Sequence, residues 1–96
     1  MGLPDVSPST VLVADDDSLV RMSLRFALES RGLRVVEVDD SVQLISNVVI
    51  ERPVLCIIDV NMPGPSVVDR ISAIREVSPS TAVLVISGEV IAPAAL

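Results

Sequence analysis

The stretch VLCIID at residues 54–59 is the most apolar run in this chain of 96 residues, and it ends on a carboxylate. Such a run without polar alternation is typical of a strand buried on both faces of a sheet. The run TVLVA at 10–14 has the same character and stops at the acidic triplet 15–17, while TAVLVI at 81–86 ends at Ser87. The chain therefore predicts three buried strands, each followed directly by polar residues.

Three segments between the strands carry helical signals. The first runs from about Leu19 to Arg31, with Asp17 or Ser18 as its N-cap and Gly32 as its stop. The second is expected to begin after Ser41 as its cap and to end before the proline at 53, and the third follows the turn PGP at 63–65. The expected inward residues are Leu19, Met22, Leu24, Phe26, Ala27 and Leu28, then Val42, Ile45, Val48 and Val49, and finally Val67 or Val68, Ile71, Ile74 and Val77.

A further strand at 34–39 alternates more strongly and is expected nearer a sheet edge. Strands and helices then alternate as β-α-β-α-β-α-β, an order that predicts a parallel sheet with helices on both faces. Residues 1–9 are interpreted as a flexible leader and residues 10–96 as a single α/β domain.

Composition narrows the function. Thirteen acids face seven arginines, with no Lys and no His, for a net charge of −6. This balance argues against direct binding to nucleic acid, and the lack of His excludes His-based zinc sites and Ser–His or Cys–His nucleophiles. The single Cys56 cannot form an internal disulfide, and no targeting signal or membrane-spanning run is present, so a cytoplasmic location without a membrane segment is expected.

The strand ends predict a site. In open α/β sheets, ligands bind beyond the carboxyl ends of the strands. With a flavodoxin-like strand order 2-1-3-4, Asp15, Asp16 and Asp59 would converge, and crowded carboxylates call for a neutralising cation. A set of oxygen ligands suits Mg²⁺, beside which a carboxylate can act as a nucleophile toward a phosphoryl group. Ser87 is positioned to bond the phosphoryl oxygens, so the residues predict a magnesium-assisted aspartyl-phosphate site.

Three blocks of the chain resemble the receiver domain of bacterial two-component response regulators: VLVADDD at 11–17, IIDVNMP at 57–63 and VISG at 85–88. The resemblance covers residues 10–96, and the Ser-Gly ending hints at regulators of transcription. It implies that a histidine kinase or phosphotransfer protein donates a phosphoryl group. It also implies roles for single residues: Asp59 as phosphoacceptor, Asp15 and Asp16 as the acidic pair with Asp16 the more direct metal ligand, Asn61 as a carbonyl ligand and Ser87 as the hydroxyl that moves toward the phosphoryl group.

The chain also departs from this family. The family's fifth strand, with its Lys and aromatic residue, and the fifth helix are expected to be missing, with only a first helical turn at 94–96, so switching is expected to be impaired. The fourth strand would then present an open apolar edge, through which we expect self-association. Val67 stands where the family usually has Gly, so the loop after Asp59 is expected to take a different path.

Two functional classes stay open, a phosphorylated signalling switch and a receiver-like interaction or dimerisation module that no longer switches. An enzymatic role as a magnesium-dependent phosphohydrolase is disfavoured, because Asn61 stands where such enzymes place a second Asp. Each motif also has a plainer interpretation: the acidic triplet as a helix cap, Asp59 as a solvated strand end and Ser87 as a turn residue. Arg21 and Arg25 are interpreted as a solvated helix face rather than a kinase-docking patch.

Overall fold

The computed structural model describes residues 8–87 and the backbone of residues 91–93. Most of the expected leader, the glycine at 88 and the helical turn expected at 94–96 lie outside these residues. The described end of the leader is tied to the domain, because the carbonyl of Ser9 accepts a hydrogen bond of 2.9 Å from the backbone N–H of Arg34.

Four parallel strands form the centre of the sheet. They are β1 (Thr10–Ala14), β2 (Arg34–Val38), β3 (Leu55–Asp59) and β4 (Ala82–Ile86), connected by α1 (Ser18–Glu29), α2 (Ser41–Glu51) and α3 (Val67–Val77). Their spatial order is β2-β1-β3-β4. The flavodoxin-like parallel sheet predicted from the sequence is therefore confirmed. In the described part of the chain, no helix combines the length and apolar character that crossing a membrane requires.

The outer edge of β4 differs from the expectation. A short strand, β5 (Ile91–Pro93), pairs antiparallel with β4, with Leu84 opposite Pro93 and Ile86 opposite Ile91. The prediction of an open fourth-strand edge is therefore wrong at these positions. Unpaired strand edges attract any extended segment, and the residues that follow β4 reach it with the smallest loss of loop entropy. Because β5 covers the edge of β4 at these positions, the reason for expecting self-association through this edge no longer holds there.

The sheet has a core on each face. The face under α2 and α3 is the larger, and its buried residues are Leu12, Ala14, Val38, Leu44, Val48, Cys56, Ile58, Met62, Ile74 and Val83. The face under α1 contains Val11, Val13, Val35, Ile57 and Ile86. Alternate residues of β1 therefore enter opposite cores, as expected of a strand that is buried on both sides.

Helix α1 lies on the sheet in a different rotation from the one predicted. Leu19, Met22 and Phe26 are 69%, 61% and 78% exposed, so the assignment of Met22 and Phe26 to the core is wrong. The helix packs through a second apolar stripe, whose half-buried members are Val20, Leu24 and Leu28.

The two arginines of α1 explain this rotation. Nε of Arg21 lies 3.1 Å and Nε of Arg25 lies 2.7 Å from the two carboxylate oxygens of Glu37 in β2. Each arginine follows a residue of the inward stripe, so pairing with Glu37 brings Val20 and Leu24 onto the sheet. The interpretation of this pair as a solvated face is therefore wrong for Arg21, whose side chain is 16% exposed, whereas the side chain of Arg25 stays 40% exposed while it pairs with Glu37.

Helix α2 begins one residue earlier than expected. Its N-cap is Asp40, whose carboxylate accepts a hydrogen bond of 2.9 Å from the N–H of Gln43. Ser41, predicted as the cap, instead donates its hydroxyl to the carbonyl of Pro63 at 3.2 Å. The inward face is built from Leu44 and Val48 with Ile45 beside them, whereas the two other expected residues are largely exposed: Val42 and Val49.

Candidate acidic site

The carboxyl ends of β1 and β3 bring three carboxylates together. The two strands are neighbours with Ala14 opposite Ile58, so Asp15 and Asp59 follow at adjacent positions. One oxygen from each of Asp15, Asp16 and Asp59 lies within 4.8 Å of the others. The convergence expected from the strand order is therefore present in the structure.

Local hydrogen bonds orient two of these carboxylates. Asp15 is 3% exposed and accepts a bond of 2.8 Å from the N–H of Asp17. Asp59 is 9% exposed, and its Oδ1 accepts a bond of 3.1 Å from the N–H of Asn61. In both cases the aspartate binds the backbone two residues further on, a geometry typical of an Asx turn. The third carboxylate belongs to Asp16, which directly follows Asp15 in sequence and is exposed.

The charges of this cluster repel one another. Burial raises the pKa of the Asp15 carboxyl above its usual value, and the negative charges of Asp59 and Asp16 raise it further, against the N–H of Asp17. The nearby Arg21 donates to the backbone carbonyl of Asp15 at 2.6 Å while it pairs with Glu37. A bound cation would relieve the repulsion, and a set of oxygen donors without nitrogen or sulfur fits a hard ion such as Mg²⁺.

Asn61 and Ser87 lie at the same edge of the sheet. Asn61 is exposed in the loop after β3, and Ser87 is half-buried directly after Ile86, which pairs with Asp59 in the ladder. Their roles as carbonyl ligand and phosphoryl-contacting hydroxyl stay predictions. The acids that follow β2 do not join the cluster, and Asp40 serves instead as the cap of α2.

Sequence reasoning missed one residue beside this site. Arg70 is 3% exposed in α3, and its guanidinium donates to the carbonyls of Asp59 at 3.3 Å, Pro63 at 3.1 Å and Met62. The signal was present, since position 70 is one turn before Ile74 and so on the inward face of α3. The spacing of apolar residues indicates which face of a helix is buried, but it gives no sign that a charged residue such as Arg70 lies on that face.

The loop between β3 and α3 turns at Gly64, which has a φ of +117°. A Cβ atom there would collide with the hydroxyl of Ser41, and this φ strains any residue that has a side chain, so the position requires glycine. Val67 is the first residue of α3, and among the described residues only Arg52 is a non-glycine with positive φ. Val67 therefore needs no left-handed conformation, and the positive φ of this loop lies at Gly64.

Fold and site together define a flavodoxin-like α/β domain with a cation-suited acidic cluster at the ends of β1 and β3. Residues 11–95 match the family model of the response regulator receiver domain. The chain therefore belongs to the response regulator receiver family, as its sequence blocks predicted.

Similar proteins agree with this assignment. The chain is 35% identical over 82 residues to the transcriptional regulatory protein PrrA of Mycobacterium leprae, a match that covers 85% of this chain and 35% of PrrA. It thus spans about a third of that relative's length. A response regulator receiver protein from Pseudomonas putida shares 30% identity and superimposes with a TM-score of 0.77 over 90% of this chain and 73% of that one.

A response regulator from Burkholderia pseudomallei shares the fold, with a TM-score of 0.78 over 85% of this chain and 48% of that one, at 22% identity. The structure of that protein contains a phosphorylated aspartic acid, a calcium ion and citrate.

Proposed function

We propose that this chain is a phosphoacceptor receiver domain of a two-component system, which takes a phosphoryl group from a histidine kinase or phosphotransfer protein onto Asp59 with Mg²⁺. Receiver domains are signalling modules, and relatives such as PrrA are transcriptional regulatory proteins. The observation that carries the proposal is the approach of the three carboxylates of Asp15, Asp16 and Asp59 to within 4.8 Å at the edge where such sheets bind ligands.

The local bonds suggest which atom reacts. Oδ1 of Asp59 accepts the N–H of Asn61, which leaves Oδ2 as the nucleophile toward phosphorus. As the new O–P bond forms, the bond from phosphorus to the donor breaks and its electron pair leaves with the donor. A bound Mg²⁺ would offset the negative charge on the oxygens around the phosphorus atom. In this proposal the ion is held by Asp15, Asp16, Asp59 and the carbonyl of Asn61, and the hydroxyl of Ser87 bonds the transferred group.

The net charge of the domain bears on which partners it can bind. With a net charge of −6, this segment is not expected to bind DNA itself, so control of transcription would act through other protein surfaces. A cytoplasmic location is part of this proposal, and the single cysteine, which cannot form an internal disulfide, supports it.

A receiver-like interaction module that no longer switches is the second candidate. It is favoured by one observation on this segment: none of its 96 residues is a Lys, the residue type that pairs with the phosphoryl group in the family. Arginine offers a different geometry from a compact ammonium and is no simple substitute. We therefore expect this segment, taken by itself, to respond only weakly to phosphorylation of Asp59.

Intact-mass measurement after incubation with acetyl phosphate tests the proposal. We expect one phosphoryl group on the parent chain with Mg²⁺ and none without it. Asp59→Asn should take up none, whereas Asp39→Asn, which removes the same charge from an exposed residue outside the cluster, should behave like the parent. A folded parent chain that takes up no phosphoryl group in Mg²⁺ would contradict the proposal and leave the interaction module.

A further inference from the structure

Arg70 is a buried cation to which the proposed function assigns no role. It lies on the inward face of α3 with 3% exposure, and none of the ion pairs among the described residues includes it. Burial of a guanidinium without a counterion is costly, and an apolar side chain at such a position is often at least as stabilising. The residue therefore needs a reason other than packing.

Its hydrogen bonds point to the loop after β3. The guanidinium donates to the carbonyl of Asp59 at 3.3 Å, to that of Pro63 at 3.1 Å and to that of Met62, while Nε has no acceptor. The bonded carbonyls lie on both sides of Asn61 but do not include its own. Arg70 thus holds the two ends of a five-residue segment and does not itself bond the carbonyl of Asn61 at its middle.

A second side chain supports the same segment from α2. The hydroxyl of Ser41 donates to the carbonyl of Pro63 at 3.2 Å, so this oxygen receives hydrogen bonds from two helices. Gly64 makes the approach of Ser41 possible, because a Cβ there would collide with the hydroxyl of Ser41. The contacts of Arg70, Ser41 and Gly64 form one arrangement around the loop.

We propose that Arg70 is a positioning residue for the cation site, which holds residues 59–63 so that the carbonyl of Asn61 is ready to bind the ion. The inference rests on the proposed function, since it concerns the same cation. A loop that is ordered in advance spares the ion the entropic cost of ordering its backbone. Residues that orient metal ligands typically change metal affinity by about 10–100-fold.

Calorimetric titration of Mg²⁺ into full-chain variants tests this role. Arg70→Leu should bind Mg²⁺ about tenfold more weakly, yet its thermal midpoint without metal should not fall, because leucine fills the apolar face. Arg75→Leu, a matched change on the same helix away from the loop, should keep the parent affinity. Amide hydrogen exchange at Asn61 and Met62 should accelerate in Arg70→Leu and not in Arg75→Leu.

The outcomes separate this inference from the proposed function. If the parent binds Mg²⁺ and Arg70→Leu binds it equally well, the positioning role is overturned while the proposed function stands. A parent chain that binds Mg²⁺ but takes up no phosphoryl group would contradict the proposed function and leave the positioning role of Arg70 standing. Should Arg70→Leu fail to fold, Ser41→Ala decides the matter, since loss of its bond to Pro63 should weaken Mg²⁺ binding and unchanged binding would overturn the inference.

Discussion

The two faces of the sheet are packed in different ways. Helices α2 and α3 each place two residues in the interior, including Leu44 and Ile74 with no exposed surface. Helix α1 on the opposite face buries none of its residues fully and carries an exposed apolar stripe that includes Phe26. One face is therefore held mainly by apolar burial and the other by a half-buried stripe together with ion pairs.

The polar anchor of α1 also reaches the acidic site. Arg21 pairs with Glu37 in β2 and donates to the carbonyl of Asp15, the first residue of the carboxylate cluster. On the other face, Arg70 of α3 reaches the loop after Asp59. The comparison shows that each face supplies one arginine to the backbone beside the site, whatever the manner in which its helices pack.

The largest effect is expected for the chemical reactivity of the Cys56 thiol, because this residue lies in the core under α2 and α3. Burial raises the pKa of Cys56 to about 12 from its ordinary 9.0, so the thiolate fraction near neutral pH should fall about a thousandfold. We expect the native chain to react with a disulfide reagent at least that much more slowly than the chain in urea. Equal rates would show that this core opens freely.

Leu44→Ala should be the most damaging of the substitutions on this face. Removal of a fully buried leucine leaves a cavity and costs about 3 kcal/mol of unfolding free energy. Leu19→Ala on α1 is the matched control, since that leucine is 69% exposed and should cost less than about 0.5 kcal/mol. Urea unfolding followed by circular dichroism measures both, and similar losses would contradict the contrast between the faces.

Glu37→Gln tests the polar anchor of α1. The change removes the carboxylate that pairs with Arg21 and Arg25, both partly exposed, and should cost about 1 kcal/mol. Faster amide hydrogen exchange along α1, with α2 unaffected, is the expected signature. Glu29→Gln, at an exposed position on α1, is the control, and an identical result for the two variants would refute the anchor.

The pair Arg34–Glu51 should give the smallest effect, because the side chain of Arg34 is 52% exposed and water screens the pair. Arg34 lowers the pKa of Glu51, so the carboxylate adds stability above its unfolded-state pKa and loses it as pH falls through the lowered folded-state pKa. Glu51→Gln should therefore be slightly less stable than the parent at pH 7 and equal to it in strong acid. Urea midpoints at the two pH values measure this, and a difference that grows in acid would contradict the pairing.

The sequence predicted the strands, because apolar runs that stop at polar residues mark them. The meeting of the carboxylates followed once these strands were placed in the flavodoxin-like order that the alternation of strands and helices and the family resemblance suggested. It could not determine the rotation of α1, since Leu19-Met22-Phe26 and the neighbouring inward stripe are both apolar at helical spacing. The choice depends on Glu37, which only the folded sheet brings beside α1.

Two further features depend on tertiary contacts. The sequence predicted an open edge at β4 but not that residues 91–93 pair with it, because a three-residue segment that ends in a proline has no recognisable strand pattern. The contacts of Arg70 join one helix to backbone carbonyls of a loop, for which no side-chain spacing exists. Local patterns therefore located the site's carboxylates but not the residues that hold its loop.

Calorimetric titration of Mg²⁺ into the parent, Asp16→Asn and Asp39→Asn tests the central claim that the three carboxylates form a cation site. The account predicts one bound ion in the parent, a loss of affinity of about tenfold or more in Asp16→Asn and parent affinity in Asp39→Asn, which removes an equal charge outside the cluster. Equal weakening in both variants, or no saturable binding by the folded parent, would contradict it.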